Sequence, residues 1–272
     1  VAELRSVGCV TTIALTSPRV GELLKMWRSK RRVSQLDLAG MAEVSPRHLS
    51  FIETGRSKPS REMVLHLAEQ LDVPLRDRNA LLTAAGFAPL YRQSALDAPE
   101  LASVRQAIEI ILANHEPYPA FVIDGAWNLL EANSAVAGFF GLISPELLEP
   151  PVNVIRASLH PRGLARFIVN FEEYAAHVIE RLRRQLLATS DPGLEALLDE
   201  VSGYDDVARA IKGAVLPPPA AVLPMYFRLD DGTELRFFST MTVFGSPLDV
   251  TIAELAIESF FPADETTTAL FQ

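Results

Sequence analysis

The chain has 272 residues, 49% of them hydrophobic and 22% charged, which excludes a disordered or fibrous protein and allows one large domain or two ordinary ones. The net charge of −9 is unevenly spread, with +5 over residues 17–92 and −14 over residues 93–272. An acidic whole argues against a nucleic-acid partner, but the basic segment keeps that partner open locally, and the split points to two domains with different partners.

Residues 1–18 read as an N-terminal extension ending at Ser17-Pro18. Val7 to Leu15 is mildly apolar without a basic lead or a small-residue exit, so it is not read as a signal peptide. The single cysteine, Cys9, has no internal partner, which fits a reducing cytoplasm. No apolar run approaches the roughly 20 residues that span a bilayer, so no membrane partner is expected.

From residue 19 to 86 the pattern is helical with short breaks. Leu23, Leu24 and Trp27 mark a helix ending near Arg31. Ser34 caps a second helix carrying Leu36, Leu38, Ala39 and Met41. Ser45 caps a third, with Pro46 at its first position, where a missing N–H does no harm, and Gly55 at its end. Ser60 caps a fourth, with Met63, Val64, Leu67, Ala68 and Leu71 at helical spacing. Pro74 opens a fifth that ends at Gly86.

Residues 87–98 read as a linker and residues 99–272 as a second domain. A helix runs from about Pro99 to His115. Ala120–Ile123 and Trp127–Ala132 read as strands joined by a two-residue hairpin at Asp124-Gly125. Asn133 caps a short helix to Phe140. A long helix runs from His160-Pro161 to about Thr189, its stripe made of Phe167, Phe171, Tyr174, Val178, Leu182 and Leu186. Another runs from Asp191-Pro192 to about Val201, and residues 203–220, with a triple proline from Pro217, read as irregular. Val222–Leu229 and Glu234–Thr242 read as strands around Asp230-Asp231-Gly232, Ala253–Phe261 as a last strand, and Asp264 as the cap of a final helix.

The run from Arg32 to Arg56 has Gln35 opening the second helix, Ala39 at the helix–helix contact, and Glu53, Gly55 and Arg56 closing the third helix. It resembles the phage-repressor helix-turn-helix of the XRE family, and the five-helix pattern over residues 19–86 matches that fold. The resemblance implies a double-stranded DNA operator. The third helix is short and polar enough for a major groove about 12 Å wide. Ser45, Arg47, His48, Ser50 and Phe51 are the candidate base-facing residues. Arg47 is suited to two bonds with guanine and Phe51 to a thymine methyl. Gln35, Arg56 and Lys58 are candidate phosphate contacts, Gln35 aided by the open N–H groups of a helix start. Leu49 and Ile52 read as core. Such domains usually bind as dimers on two half-sites, so a homodimer is implied; protein contact is the alternative use of such a bundle.

The C-terminal strings Asn153-Val154-Ile155-Arg156, Leu159 to Leu164, Arg181 to Arg184, Phe244 to Thr251 and Ile257 to Asp264 resemble MmyB-like transcription regulators. Members pair a helix-turn-helix with a PAS-like ligand-binding domain. The implied fold is multidomain: an all-α five-helix repressor-type domain, then an α+β PAS-like domain with an antiparallel sheet. Helices over one face of such a sheet leave a gap. Trp127, Phe139, Phe140, Phe167, Phe171, Tyr174, Phe227 and Phe237 are its candidate lining, which implies a small, mostly apolar effector. Asn153, Arg156, His160, His177 and Arg181 are the candidate polar contacts, with His177 and Arg181 one helical turn apart. An arginine beside an apolar slot suits a carboxylate on a long tail, so the expected effector is fatty-acid-like. For Arg156 the competing reading is a structural salt bridge.

No Gly-x-Gly-x-x-Gly, Walker, His-Glu-x-x-His or Gly-x-Ser-x-Gly motif occurs, and no cofactor, metal or enzymatic activity is expected. Two other readings stay open: a second domain that only dimerises or docks a partner, and an enzyme fused to a DNA-binding domain.

Overall fold

The computed structural model describes residues 19–213, 223–245 and 247–271. The extension over 1–18, Cys9 within it, and the proline run from Pro217 lie outside them. The described residues form two compact units, one made of the residues up to Val73 with Asp77–Leu90, the other of Pro74–Arg76 with the residues from Tyr91 on.

The first unit holds, among the described residues, α1 (Val20–Lys30), α2 (Gln35–Met41), α3 (Pro46–Glu53), α4 (Arg61–Gln70) and α5 (Leu75–Ala84). Ser34, Ser45 and Ser60 cap α2, α3 and α4, each hydroxyl accepting from the backbone N–H three residues on. Each cap satisfies a donor that the helix itself leaves open. Three helix ends turn without glycine. Arg32, Glu43 and Asp72 take left-handed φ angles of 56°, 52° and 46°. The residue after each, Val33, Val44 or Val73, donates its N–H back to the carbonyl of Arg28, Ala39 or Ala68. This Schellman closure turns a valine inward at each end. Leu24, Trp27, Leu38, Leu49, Ile52, Leu67, Leu81 and Leu82 fill the core. At Gly21 a Cβ would stand 2.5 Å from the Glu53 carbonyl oxygen, so α1 crosses the end of α3 in backbone contact that only glycine allows.

The second unit opens with a 3-10 turn at Pro99–Leu101 running into α6 (Ala102–His115). Then come β1 (Ala120–Ile123), β2 (Leu129–Ala132), α7 (Ala137–Phe140), α8 (Val154–Leu159) and α9 (Phe171–Thr189). They are followed by α10 (Pro192–Ser202), α11 (Asp205–Gly213), β3 (Leu223–Arg228), β4 (Glu234–Val243), α12 (Val250–Glu254), β5 (Ala256–Pro262) and α13 (Glu265–Leu270). The strands make one antiparallel sheet in the order β2-β1-β5-β4-β3. α6 covers one face, packing Ile108 and Leu112 on Ala120, Val122, Leu255 and Ile257. The opposite face carries Phe227 and Phe237 and packs against Tyr174, Val178 and Leu182 of α9. The expected architecture, a helical unit before an α+β unit with an antiparallel sheet, is the one observed.

Several elements differ from the sequence reading. The link between β1 and β2 is five residues, 124–128, because Asp124 Oδ1 accepts from the N–H groups of Ala126 and Asn128 and turns the chain. Trp127 therefore lies in the turn, at a left-handed φ of 67°, and not in a strand. Asn133 stands at the N-cap position of the 3-10 turn Ser134–Val136 that runs into α7, but its side chain makes no cap bond; it accepts from Ala120 N at 3.0 Å and donates to Tyr118 O at 2.7 Å. The long helix begins only at Phe171. Just before it, Val169 donates to Tyr226 O, and the Asn170 side chain donates to Pro224 O and accepts from Tyr226 N. This stretch is stitched to β3 and cannot coil. Within 203–220 stands a true helix, α11, which buries Val207 and Ala210. The last expected strand divides, since Asp249 caps the short α12 before β5 starts at Ala256.

Candidate functional site

The helix-turn-helix surface is organised by one buried carboxylate. Glu53, the last residue of α3, accepts from Arg28 Nε at 2.8 Å and Nη2 at 3.1 Å, and from Gln35 Nε2 at 2.9 Å. Arg28 also donates to Val33 O at 2.9 Å. Its pKa is raised, first by the hydrogen bond to Glu53, with burial opposing. The node ties α1, α2 and α3 together and fixes the Gln35 amide at the start of α2. On the open side of α3, Arg47 lies over the Phe51 ring at 5.3 Å and Arg56 at 5.9 Å. These contacts stack two cations on one half-buried aromatic ring. Ser45 spends its hydroxyl on the cap, accepting from His48 N at 3.1 Å. Ser45, Arg47, Arg56 and Lys58 are exposed, while Gln35, His48, Ser50 and Phe51 are half-buried. All eight sit on or beside α2 and α3.

In the second unit a cavity of about 110 Å³ lies between the sheet and the helices. Trp127, Phe139, Phe140, Tyr174, Arg181, Phe227 and Phe237 line it, seven of the residues singled out in the sequence. Phe121, Val154, Ile155, Met225 and Phe260 complete much of the apolar wall. The other six candidates take different places. Asn153 caps α8, accepting from Arg156 N at 3.2 Å, and donates to Ala126 O at 2.9 Å. Arg156 is forked onto Glu200, with Nε at 2.7 Å from Oε1 and Nη2 at 2.7 Å from Oε2, and Tyr204 donates to the same carboxylate. His160 stands edge-on to the Tyr204 ring and accepts from Arg162 N. Phe167 is core under the Arg166 guanidinium, and Phe171 packs at the core margin. His177 is half-buried; burial first, then Arg181 and Arg184, pushes its pKa down. These six are not among the lining residues.

Polar groups gather at one place in the lining. Arg181 of α9 lies over the Trp127 ring at 4.7 Å and stands 3.8 Å from Glu258 of β5. Ser239 of β4 donates to Glu258 Oε1 at 2.8 Å. Tyr174 and Ser158 add two hydroxyls to the same lining. Glu258 is only 7% exposed, and burial raises its pKa, with Arg181 and Ser239 holding it back. Burial likewise raises that of Tyr174. Trp127 is itself clasped: its indole N–H donates to Gln185 Oε1 at 2.6 Å, and Gln185 donates to Gly125 O at 2.7 Å. Glu258 and Ser158 are the polar residues that sequence reasoning missed. The signal for Glu258 was its place between Ala256 and Phe260 on one strand face, a charge in an apolar alternation.

A repressor-type helix-turn-helix unit joined to a sheet domain with an apolar cavity defines a DNA-binding transcription regulator with a small-molecule domain. Residues 104–272 match the MmyB-like transcription regulator ligand binding domain, and residues 21–86 match a helix-turn-helix domain. The chain belongs to the MmyB-like transcription regulators. Among solved structures it is similar to the clp gene regulator ClgR from C. glutamicum, at 30% identity over 27% of this chain and 96% of that one, with a TM-score of 0.23. It is also similar to an RNA-binding Light-Oxygen-Voltage receptor, at 14% identity over 92% of this chain and 60% of that one, with a TM-score of 0.26. Both TM-scores are too low to bear on the arrangement of this chain. No curated protein matches it. Among the described residues, no helix is long and apolar enough to cross a membrane, and no cluster of side chains is suited to a metal.

Proposed function

We propose that this regulator binds a long-chain, fatty-acid-like effector in the cavity of its second unit and reads its operator through α3 as a cytoplasmic homodimer. The observation that carries the effector reading is the composition of the cavity: carbon walls almost throughout, with Arg181 and Glu258 as the charged groups. A tail is held by burial and a head group by the guanidinium. The effector changes DNA affinity only so far as it binds the DNA-competent and incompetent states unequally. Native mass spectrometry followed by denaturing extraction tests this. A dimer releasing a long-chain acid is the expected result. A protein that carries nothing, and whose melting temperature added long-chain acids do not shift, overturns it.

On the DNA side, Arg47 reads a base while Lys58 neutralises a phosphate. Arg47→Ala is expected to weaken operator binding by about 1–3 kcal/mol and to relax specificity at one base pair. Lys58→Ala should weaken binding to all sequences alike and lower the salt slope by about one ion. Operator-variant titrations at several salt concentrations separate the two; equal, sequence-neutral losses would remove Arg47 from base readout.

A further inference from the structure

Two carboxyl groups meet one cation when an acid enters this cavity. Arg181 and Glu258 already face each other there at 3.8 Å, longer than the roughly 2.8 Å of a direct charge-assisted bond. The carboxylate of Glu258 is anchored from its own sheet by Ser239, while the arginine is anchored by the Trp127 ring. Among the described residues lining the cavity, Arg181 is the one cation: in register, β1 sets Phe121 and β4 sets Met241 beside Glu258, and α9 adds the Tyr174 hydroxyl. The pKa of His177, a turn before Arg181, is lowered first by burial, then by Arg181 and Arg184, with Glu173 opposing.

An ionised effector bound at Arg181 would therefore leave two negative charges against one positive charge in an apolar enclosure. Carboxyl groups in that situation share a proton, because like charges at short range cannot both ionise. We propose that Glu258 is a specificity-determining residue: it and the effector's carboxyl group hold one proton between them while Arg181 donates to the effector's other oxygen. The proposal rests on the acid-effector reading above and adds that the site selects weak acids over permanently charged anions. The proton comes from solvent, and no bond to carbon forms or breaks. A neutral primary amide reproduces the same pattern, its NH₂ donating to Glu258 and its carbonyl accepting from Arg181.

Calorimetric titration of the full chain with dodecanoic acid, dodecanamide and dodecanesulfonate between pH 6 and 9 tests this. The acid should take up about one proton on binding, so its affinity should fall about tenfold per pH unit once both carboxyl groups are ionised in the unbound partners. The amide should bind without pH dependence, and the sulfonate at least tenfold more weakly than the acid. Glu258→Gln should flatten the acid's pH profile and raise sulfonate affinity tenfold or more. Proton uptake by the unaltered chain, read from two buffers of different ionisation heat, stands whether or not that variant folds. Equal binding of acid and sulfonate with no proton uptake overturns the proposal while leaving the effector reading intact. Failure of all three ligands to bind overturns both.

Discussion

Glu53→Ala is expected to destabilise the helix-turn-helix unit by about 3–5 kcal/mol, the range for breaking a buried ion pair from one side. An exposed pair would contribute about 0–1 kcal/mol, so burial decides the size. The Glu53 side chain is 4% exposed and that of Arg28 is 14% exposed, which puts the pair in the buried regime. Alanine would strand the Arg28 guanidinium beside α3 and release the Gln35 amide. Replacing both partners with apolar residues, Arg28→Met with Glu53→Leu, should restore most of the stability, since no charge is then left unpaired. It should not restore operator affinity, because Gln35 still lacks the acceptor that fixes it at the start of α2. Urea unfolding followed through Trp27, alongside operator titration, reads both effects. A loss below 1 kcal/mol in the single variant would place the pair in the exposed class. Full operator affinity in the double variant would show that Gln35 needs no anchor.

That node also shows which features a sequence exposes. Local signals were legible. The serines at 34, 45 and 60 cap their helices because capping depends on the next three residues alone. Helix ends at Arg32, Glu43 and Asp72 left no glycine to find, and the left-handed turn there is sustained by a valine packing into the core. Position 168–170 reads as helix by its own composition, and β3, more than fifty residues away, is what holds it extended. The aromatic wall of the cavity was legible because apolar residues at sheet and helix spacing must face something. Of its polar groups, Arg181 was named from the sequence, while Glu258 and Ser158 were not. Arg156 and His160 meet Glu200 and Tyr204 across the turns around α10, a pairing no spacing encodes. Glu258 stands as one charge in an apolar strand alternation, and only the fold brings Arg181 of α9 over it.

Arg181→Met is expected to reduce acid-effector affinity by at least tenfold, the low end for a hydrogen bond to a charged group at about 1.5–3 kcal/mol. It should also change how stability depends on pH, with no ligand present. Glu258 carries a pKa raised above its ordinary 4.5 by burial, and Arg181 is the first group that offsets the rise. A carboxyl group whose folded value lies above its unfolded one binds more protons when folded. Its penalty is absent below about pH 4.5 and grows as pH rises through the folded value. Without Arg181 the folded value climbs further, so variant and parent run together until pH reaches the parent's raised folded value and diverge above it, by about 1.4 kcal/mol for each added unit once pH exceeds the variant's own value. His177 acts in the same direction. Its pKa is pushed down in part by Arg181, so its contribution is lost as pH falls below 6.5, and the variant relieves part of that loss. The difference between the two proteins should therefore be smallest in acid and largest in alkali. Arg181→Met combined with Glu258→Gln should abolish the alkaline divergence, because the buried group can no longer ionise. Denaturant unfolding at pH 5, 7 and 8.5 follows the whole series. Parallel profiles for the single variant and the parent would mean that the charge state of Glu258 does not depend on Arg181 over this pH range.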